Sequence, residues 1–140
     1  MRKLMKLSLL GILNALFLYL FFLPQGNFYR ITRITGWSAD SVSMWTNVVC
    51  LALFVIMSVS LYKLSRKFFY GEASAYWSVI SWVPFYVLLI VANRWLLPIT
   101  QAGDDPAPVT GLLMIASWFV FPIYITLITM FATTGRQQQK

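Results

Sequence analysis

Residues 7–29, LSLLGILNALFLYLFFLPQGNFY, form a run of 23 residues without a charged side chain. A helix of about 20 apolar residues spans the ~30 Å hydrocarbon core of a bilayer, so this stretch predicts a membrane-spanning helix. Three more charge-free runs follow it, over residues 41–62, 73–93 and 106–135. Because these runs take up most of the 140 residues, the sequence predicts an all-α integral membrane protein, a four-helix transmembrane bundle that forms a single membrane domain over residues 1–140.

We expect the four spans at about residues 4–23, 44–62, 76–97 and 109–131. The first span follows a basic amino-terminal stretch and therefore resembles a secretory signal in its charge pattern. Its apolar core is long and has no small-residue cleavage site, so we interpret it as an uncleaved span.

The longest connection between spans covers residues 24–42, and we expect it to lie on the outer membrane surface. Its first four residues, beginning with Pro24, are typical of a turn and predict that the first helix ends at Leu23. Aromatic and basic side chains suit the headgroup zone of a bilayer. The connection contains five of them: Phe28, Tyr29, Arg30, Arg33 and Trp37.

The basic residues lie at the ends of the apolar runs and predict the orientation of the chain. With the amino terminus in the cytoplasm, eight of the 11 Lys and Arg residues, including Arg136 and Lys140, lie inside, as the positive-inside rule requires. We therefore expect both termini in the cytoplasm, and the lack of a targeting extension is compatible with a bacterial cytoplasmic membrane. The basic residues expected at lipid headgroups are Lys63, Arg66 and Lys67 on the inside and Arg30 and Arg33 on the outside.

Composition excludes several classes of chemistry. Histidine is absent and Cys50 is the only cysteine, which excludes histidine bases, histidine metal sites, internal disulfides and CxxC redox chemistry. No carboxylate lies within a span, which argues against an Asp or Glu proton relay. We therefore predict no catalytic residue, no cofactor, no metal site and no enzymatic activity. The dispersed basic residues also argue against nucleic-acid binding.

Polar and helix-breaking residues within the spans are the candidates for a functional pathway. Pro84 and Pro122 each remove a backbone donor from the third and fourth spans and free the carbonyl four residues earlier. Such kinks either line a substrate pathway or only pack against neighbours. Asn14 either joins helices or contacts a polar ligand. Thr126, one turn after Pro122, either bonds its own backbone or adds to a polar pathway.

Charged residues border the outer end of the third span. Arg94 either faces the membrane interior as a functional charge or extends its side chain to the outer headgroups. Asp104 and Asp105 follow in the outer connection, and we expect a surface ion pair with Arg94. Two adjacent carboxylates make a poor metal site, because hard cations require oxygens from several backbone positions.

The first span also carries small and polar residues at helical spacing, a pattern typical of a helix-packing face. These residues are Ser8, Gly11, Asn14 and Ala15.

We expect a non-catalytic accessory or interaction subunit of a membrane assembly, in contact with the lipid bilayer and with either a membrane-protein partner or further copies of itself. The alternative is a small self-assembling carrier or channel that uses the proline-kinked third and fourth helices. The chain is similar to the small multidrug transporters in size and helix count. The acidic residue that those proteins use in their first helix has no counterpart here, so the resemblance does not extend to their mechanism.

Overall fold

The computed structural model describes residues 2–134, and this part of the chain is helical without a β-strand, which confirms the predicted all-α class. Arg136 and Lys140, which enter the predicted orientation, lie outside the described residues. Four described stretches are long and apolar enough to cross a membrane: Lys3–Gly26, Ala39–Phe69, Ala73–Leu96 and Pro108–Thr133. The helices are α1 (Arg2–Gly26), α2 (Phe28–Thr35), α3 (Ala39–Phe69), α4 (Ser78–Ser81), α5 (Val83–Leu96) and α6 (Pro108–Thr133), with 3₁₀ turns at Ala73–Trp77 and Ala102–Asp104.

The first helix does not end at Leu23, as the turn residues after it predicted, but continues through Pro24 to Gly26. A proline here removes a single helical hydrogen bond, the one that the Leu20 carbonyl would accept, and two side-chain amides bond to other carbonyls nearby. The Gln25 side chain donates to the Phe21 carbonyl at 3.3 Å, and the Asn27 side chain donates to the Leu23 carbonyl at 2.9 Å. Both bonds lie at the carboxyl end of α1, where the helix continues beyond the proline.

The connection predicted over residues 24–42 contains a helix of its own, α2. Gly36 ends α2 with a left-handed conformation (φ 68°) and donates its N–H to the Thr32 carbonyl. Glycine adopts this conformation without a steric penalty. Ser38 then caps α3 by accepting the N–H of Ser41 at 3.3 Å. As a result α3 begins at Ala39, inside the predicted connection.

The two internal prolines have different effects on their helices. Pro84 occupies one of the first two positions of α5, where a missing N–H costs little, and the chain before it forms a 3₁₀ turn and the short helix α4. Pro122 lies within the uninterrupted helix α6. The third apolar stretch is therefore built from three pieces, whereas the fourth is one helix.

The central helix of the bundle is α1, which packs against α3 and against α4 and α5, while α6 packs against α3 and α4. Lys6 donates to the Phe68 carbonyl at 3.5 Å, which places the start of α1 beside the end of α3. We call this the terminal end. We call the opposite end, formed by α2, the end of α5 and residues 97–107, the loop end.

Candidate functional site

Aromatic and aliphatic side chains fill the centre of the bundle. The Phe121 ring lies 5.1 Å from Trp82 and 5.7 Å from Phe17, measured between ring centroids, and all three side chains are buried. Such ring pairs contribute about 0.5–1.5 kcal/mol each beyond the burial of area. Near the terminal end a second buried cluster contains Leu10, Leu61, Phe69 and Ala75.

Asn14 is a buried polar residue whose hydrogen bonds are incompletely satisfied within residues 2–134. Its side chain is only 2% exposed, and its amide nitrogen donates to the Ser78 carbonyl at 3.5 Å, a long hydrogen bond. Its Oδ1 atom is buried and has no hydrogen-bond partner within residues 2–134. Asn14 therefore joins α1 to α4, which agrees with the helix-joining interpretation of this residue.

The small face of α1 packs inside this chain. A Cβ atom on Gly11 would lie 2.7 Å from the Ser81 carbonyl oxygen, so only glycine permits this approach of α1 to α4. Ala15 is fully buried in the aromatic cluster. Ser8 is exposed, because at about 100° per residue it lies at the edge of the buried arc of α1.

The proline and threonine candidates do not converge with Asn14. Pro84 is exposed and Pro122 is half-buried. The Thr126 hydroxyl donates to the Pro122 carbonyl at 2.8 Å, so it bonds its own backbone as one of the two interpretations predicted. Arg94 is exposed near the end of α5, at the loop end. Of these candidates, only Asn14 is buried, and Arg94 alone lies at the loop end.

An ionic cluster at the loop end differs from the ion pair that the sequence predicted. The Asp104 side chain is only 1% exposed, and it accepts two hydrogen bonds from Arg33, from Nε at 3.0 Å and from Nη2 at 2.7 Å. Arg30 adds a contact of 3.5 Å from its Nε atom. Asp104 therefore pairs with Arg33 and Arg30, and the expected pair with Arg94 is wrong for this carboxylate.

This pairing changes the protonation equilibria of both partners. The hydrogen bonds from Arg33 hold the pKa of the Asp104 carboxyl below its ordinary value, and the same bonds raise the pKa of Arg33. Both groups therefore stay charged over a wider range of pH than they would alone.

Arg30 also fixes the end of α5. Its guanidinium donates to the Pro98 carbonyl at 2.5 Å and to the Leu97 carbonyl at 3.5 Å. Because Arg30 and Arg33 lie three residues apart, they share one side of α2. The sequence shows this spacing, but it predicts contacts of both arginines with lipid headgroups. In the structure both arginines contact other residues of the chain.

A cavity of about 680 Å³ opens beside this cluster at the loop end, between α1, α5 and the start of α6. The side chains on its apolar wall include Phe22, Ile90 and Met114, and Arg94 and Asp105 lie on its polar wall. A hydrogen bond of 2.8 Å from the Tyr19 hydroxyl to Asn93 Oδ1 joins α1 to α5 within it. We call this the loop-end cavity.

Two further cavities are smaller. One, of about 470 Å³, lies between α1, α3 and α6 and is lined almost entirely by apolar atoms, including those of Phe54 and Val120. The other, of about 280 Å³, contains Cys50, whose thiol donates to the Phe21 carbonyl at 3.4 Å. The Cys50 side chain is buried.

The terminal end carries the basic stretch of α3. Lys63, Arg66 and Lys67 are exposed, and the Arg66 guanidinium lies 6.0 Å from the centre of the Tyr62 ring. Glu72 pairs with Lys3 at 3.1 Å, and this hydrogen-bonded contact lowers the pKa of the Glu72 carboxyl. Both side chains of the pair are substantially exposed.

No group of three or more Cys, Asp or Glu side chains that could hold a metal ion occurs among the described residues. No protein-family model matches the chain, and neither a curated protein nor a solved structure does.

Proposed function

We propose that the chain is an integral membrane protein whose four apolar stretches cross the bilayer with both termini in the cytoplasm. The length and composition of the four stretches support insertion. The orientation is supported by the three exposed basic residues near the end of α3 at the terminal end, whereas α2 at the loop end has two arginines, both paired with Asp104.

A labelling experiment tests this orientation. In a Cys50→Ser background, Lys67→Cys and Asp105→Cys place single thiols on exposed residues at opposite ends of the bundle. A membrane-impermeant maleimide should label the thiol at position 105 in intact cells and the thiol at position 67 only after permeabilisation. The reverse pattern would invert the orientation, and release of the protein by alkaline carbonate would contradict insertion.

Within the membrane we propose a non-catalytic accessory subunit that binds a helix of another membrane protein. The observation that carries this proposal is the aromatic filling of the bundle centre, where Phe17, Trp82 and Phe121 pack against one another. Rings that fill the centre support a packing role over a water-filled route between the two ends. The surface of the bundle is then the part of the protein available for function.

The partner cannot use Gly11 and Ala15, because both are occupied within the chain. The least buried of the four stretches is α6, with only 11% of its most apolar window buried. Leu112, Phe119 and Ile123 are 67%, 73% and 62% exposed and recur at helical spacing on its outer side. We propose this side of α6 as the contact with the partner helix.

Native mass spectrometry of the protein extracted from its own membrane tests the accessory role. We expect a stoichiometric complex with a different polypeptide. Phe119→Ala should reduce the fraction in the complex, whereas Leu88→Ala, a substitution of a residue 65% exposed on α5, should not. A monomer or homo-oligomer without a second polypeptide would overturn the proposal.

The alternative of a carrier or channel has less support. It relied on a pathway formed by Asn14, Pro84, Pro122 and Arg94, but Pro84 and Arg94 are exposed, whereas Asn14 is buried. If the native complex is absent, measurement of flux through the Asn14→Leu, Pro84→Ala, Pro122→Ala and Arg94→Gln variants is the experiment that would revive it.

A further inference from the structure

The loop-end cavity combines an apolar wall with a charged rim, an arrangement that the accessory role does not use. The Tyr86 and Trp118 rings of α5 and α6 lie 5.9 Å apart between centroids, but the backbones of these helices hardly approach each other. The cavity fills the space that this separation leaves between α5, α1 and Met114 of α6.

Arg94 and Asp105 carry opposite charges on the wall of this cavity. Neither side chain has a hydrogen-bond or ion-pair partner within the described part of the chain, and both residues are exposed. The neighbouring cluster is different, because Asp104 already accepts two hydrogen bonds from Arg33. The loop end thus separates satisfied charges, which hold the structure, from unpaired charges, which face the cavity.

We propose that the loop-end cavity binds one phospholipid whose headgroup carries both a phosphate and a primary ammonium group. A guanidinium binds phosphate oxygens through parallel N–H donors, so Arg94 is suited to the phosphate. A carboxylate accepts hydrogen bonds from a primary ammonium group, so Asp105 is suited to the amine. A zwitterionic headgroup would satisfy both residues together, whereas an anionic headgroup would satisfy only Arg94.

The apolar wall supports a lipid over a soluble phosphoamine. Phe22, Ile90 and Met114 line the same cavity as the charged pair and provide contacts for an acyl chain. The Tyr19 and Asn93 side chains bond to each other, so they form a neutral wall between the charged rim and the core. This inference rests on the membrane insertion proposed above, since only insertion brings the cavity to the level of lipid headgroups.

The test is native mass spectrometry of the delipidated full chain after incubation with mixed micelles containing phosphatidylethanolamine, phosphatidylcholine and phosphatidylglycerol in equal amounts. We expect one retained lipid per protein, with phosphatidylethanolamine preferred. Arg94→Gln should weaken retention about tenfold, as expected for the loss of a charge-assisted hydrogen bond, and Arg94→Lys, which keeps the charge but not the parallel N–H donors, should restore only part of it. Asp105→Asn should remove the preference for phosphatidylethanolamine over phosphatidylcholine, whose quaternary amine donates no hydrogen bond.

The controls are charge-neutralising variants outside the cavity, Asp40→Asn and Arg66→Gln, which should retain lipid as the wild type does. Equal retention of the three lipids by the wild type would overturn the proposal, and so would a preference that survives both Arg94→Gln and Asp105→Asn. Displacement of the lipid by an equal concentration of soluble phosphoethanolamine would show that the headgroup alone is recognised and would overturn the lipid assignment. Carbonate extraction of the same variants reports insertion separately, so a failure of lipid selection is distinguishable from a failure of insertion.

Discussion

The contact of α1 with α4 depends on close approach of the two backbones, whereas the contact of α2 with residues 97–104 depends on charged side chains. In the first, Gly11 meets the Ser81 backbone and the Asn14 amide bonds to Ser78. In the second, two arginines reach Asp104 and the Leu97 and Pro98 carbonyls. The first contact should therefore respond to changes of volume and buried polarity, and the second to pH and salt.

The largest effect should come from a negative charge at the first contact. Asn14→Asp keeps the size of the side chain but removes the donor to Ser78 and places a carboxyl in a site only 2% exposed. Burial of an unpaired carboxylate on this scale costs about 3 kcal/mol or more. Thermal unfolding in mild detergent, followed by circular dichroism, should show this loss. Asn47→Asp changes an exposed residue of α3 and should behave like the wild type.

A methyl group at the same contact should have the next largest effect. Gly11→Ala places a carbon atom 2.7 Å from the Ser81 carbonyl oxygen, so α4 must move. Overpacking of this kind typically costs about 1–3 kcal/mol. Gly111→Ala is the matched substitution, since its new methyl group would meet no atom within 4 Å and should stabilise α6 by up to about 1 kcal/mol. Equal melting temperatures for the two variants would contradict this account of the α1–α4 contact.

At the second contact, Asp104→Asn should lower the melting temperature by less than Gly11→Ala, because it keeps the shape of the side chain and removes only the charge shared with Arg33 and Arg30. High salt should reduce the difference from the wild type, since the arginines are partly accessible to solvent. Asp105→Asn, without a partner among the described residues, should leave the melting temperature in detergent unchanged.

The same contact should depend on pH. The pKa of Asp104 is lowered below its ordinary value of 3.8, so the stability from this carboxylate is complete above that pH and is lost as the pH falls through the folded-state pKa. The gap between wild type and Asp104→Asn should therefore be constant near neutral pH and close below pH 3.8. A gap that persists after full protonation would assign the effect to packing.

The smallest effect should be found at the exposed pair of the terminal end. Lys3→Gln removes the ion pair with Glu72. Both side chains of this pair are accessible to solvent. Exposed ion pairs contribute little to stability, so we expect no measurable change in melting temperature. If Lys3→Gln lowered the melting temperature as much as Asp104→Asn does, the expected difference between exposed and buried carboxylates would be wrong.

The two contacts also differ in how far the sequence predicts them. Gly11 and Ala15 lie four residues apart on one helix, and helical periodicity was enough to place them on a packing face. It could not say whether this face meets another part of the chain or another protein, because that depends on the position of α4. Ser8, which shares the spacing, lies at the edge of the face and is exposed.

The ionic cluster was not predicted because its members are distant in sequence. Arg33 and Asp104 are separated by 71 residues, whereas Arg94 lies close to Asp104 in the chain. Nearness in sequence favoured the wrong partner. Arg30 and Arg33 reach Asp104 because the connection after α1 folds into the helix α2. The turn residues that begin with Pro24 predicted the end of the first helix but not this second helix.

The prolines show the same limit. Pro84 and Pro122 stand in similar aromatic surroundings, yet only the first coincides with a break between helices. Before Pro84, the Ser78 carbonyl accepts the Asn14 amide and Ser81 lies against Gly11, both contacts with α1. Tertiary contacts of α4 thus accompany the break, and no pattern within the third stretch alone could reveal them.

The length of α3 has a mechanical consequence. Its 31 residues extend for about 46 Å as a helix, well beyond the ~30 Å thickness of a hydrocarbon core. In the proposed orientation α3 either tilts strongly in the bilayer or extends its last turns into the cytoplasm as a helix. Arg66, held beside the Tyr62 and Tyr70 rings, would then contact the lipid headgroups. This contact would determine the distance between the membrane and the connection from α3 to α4.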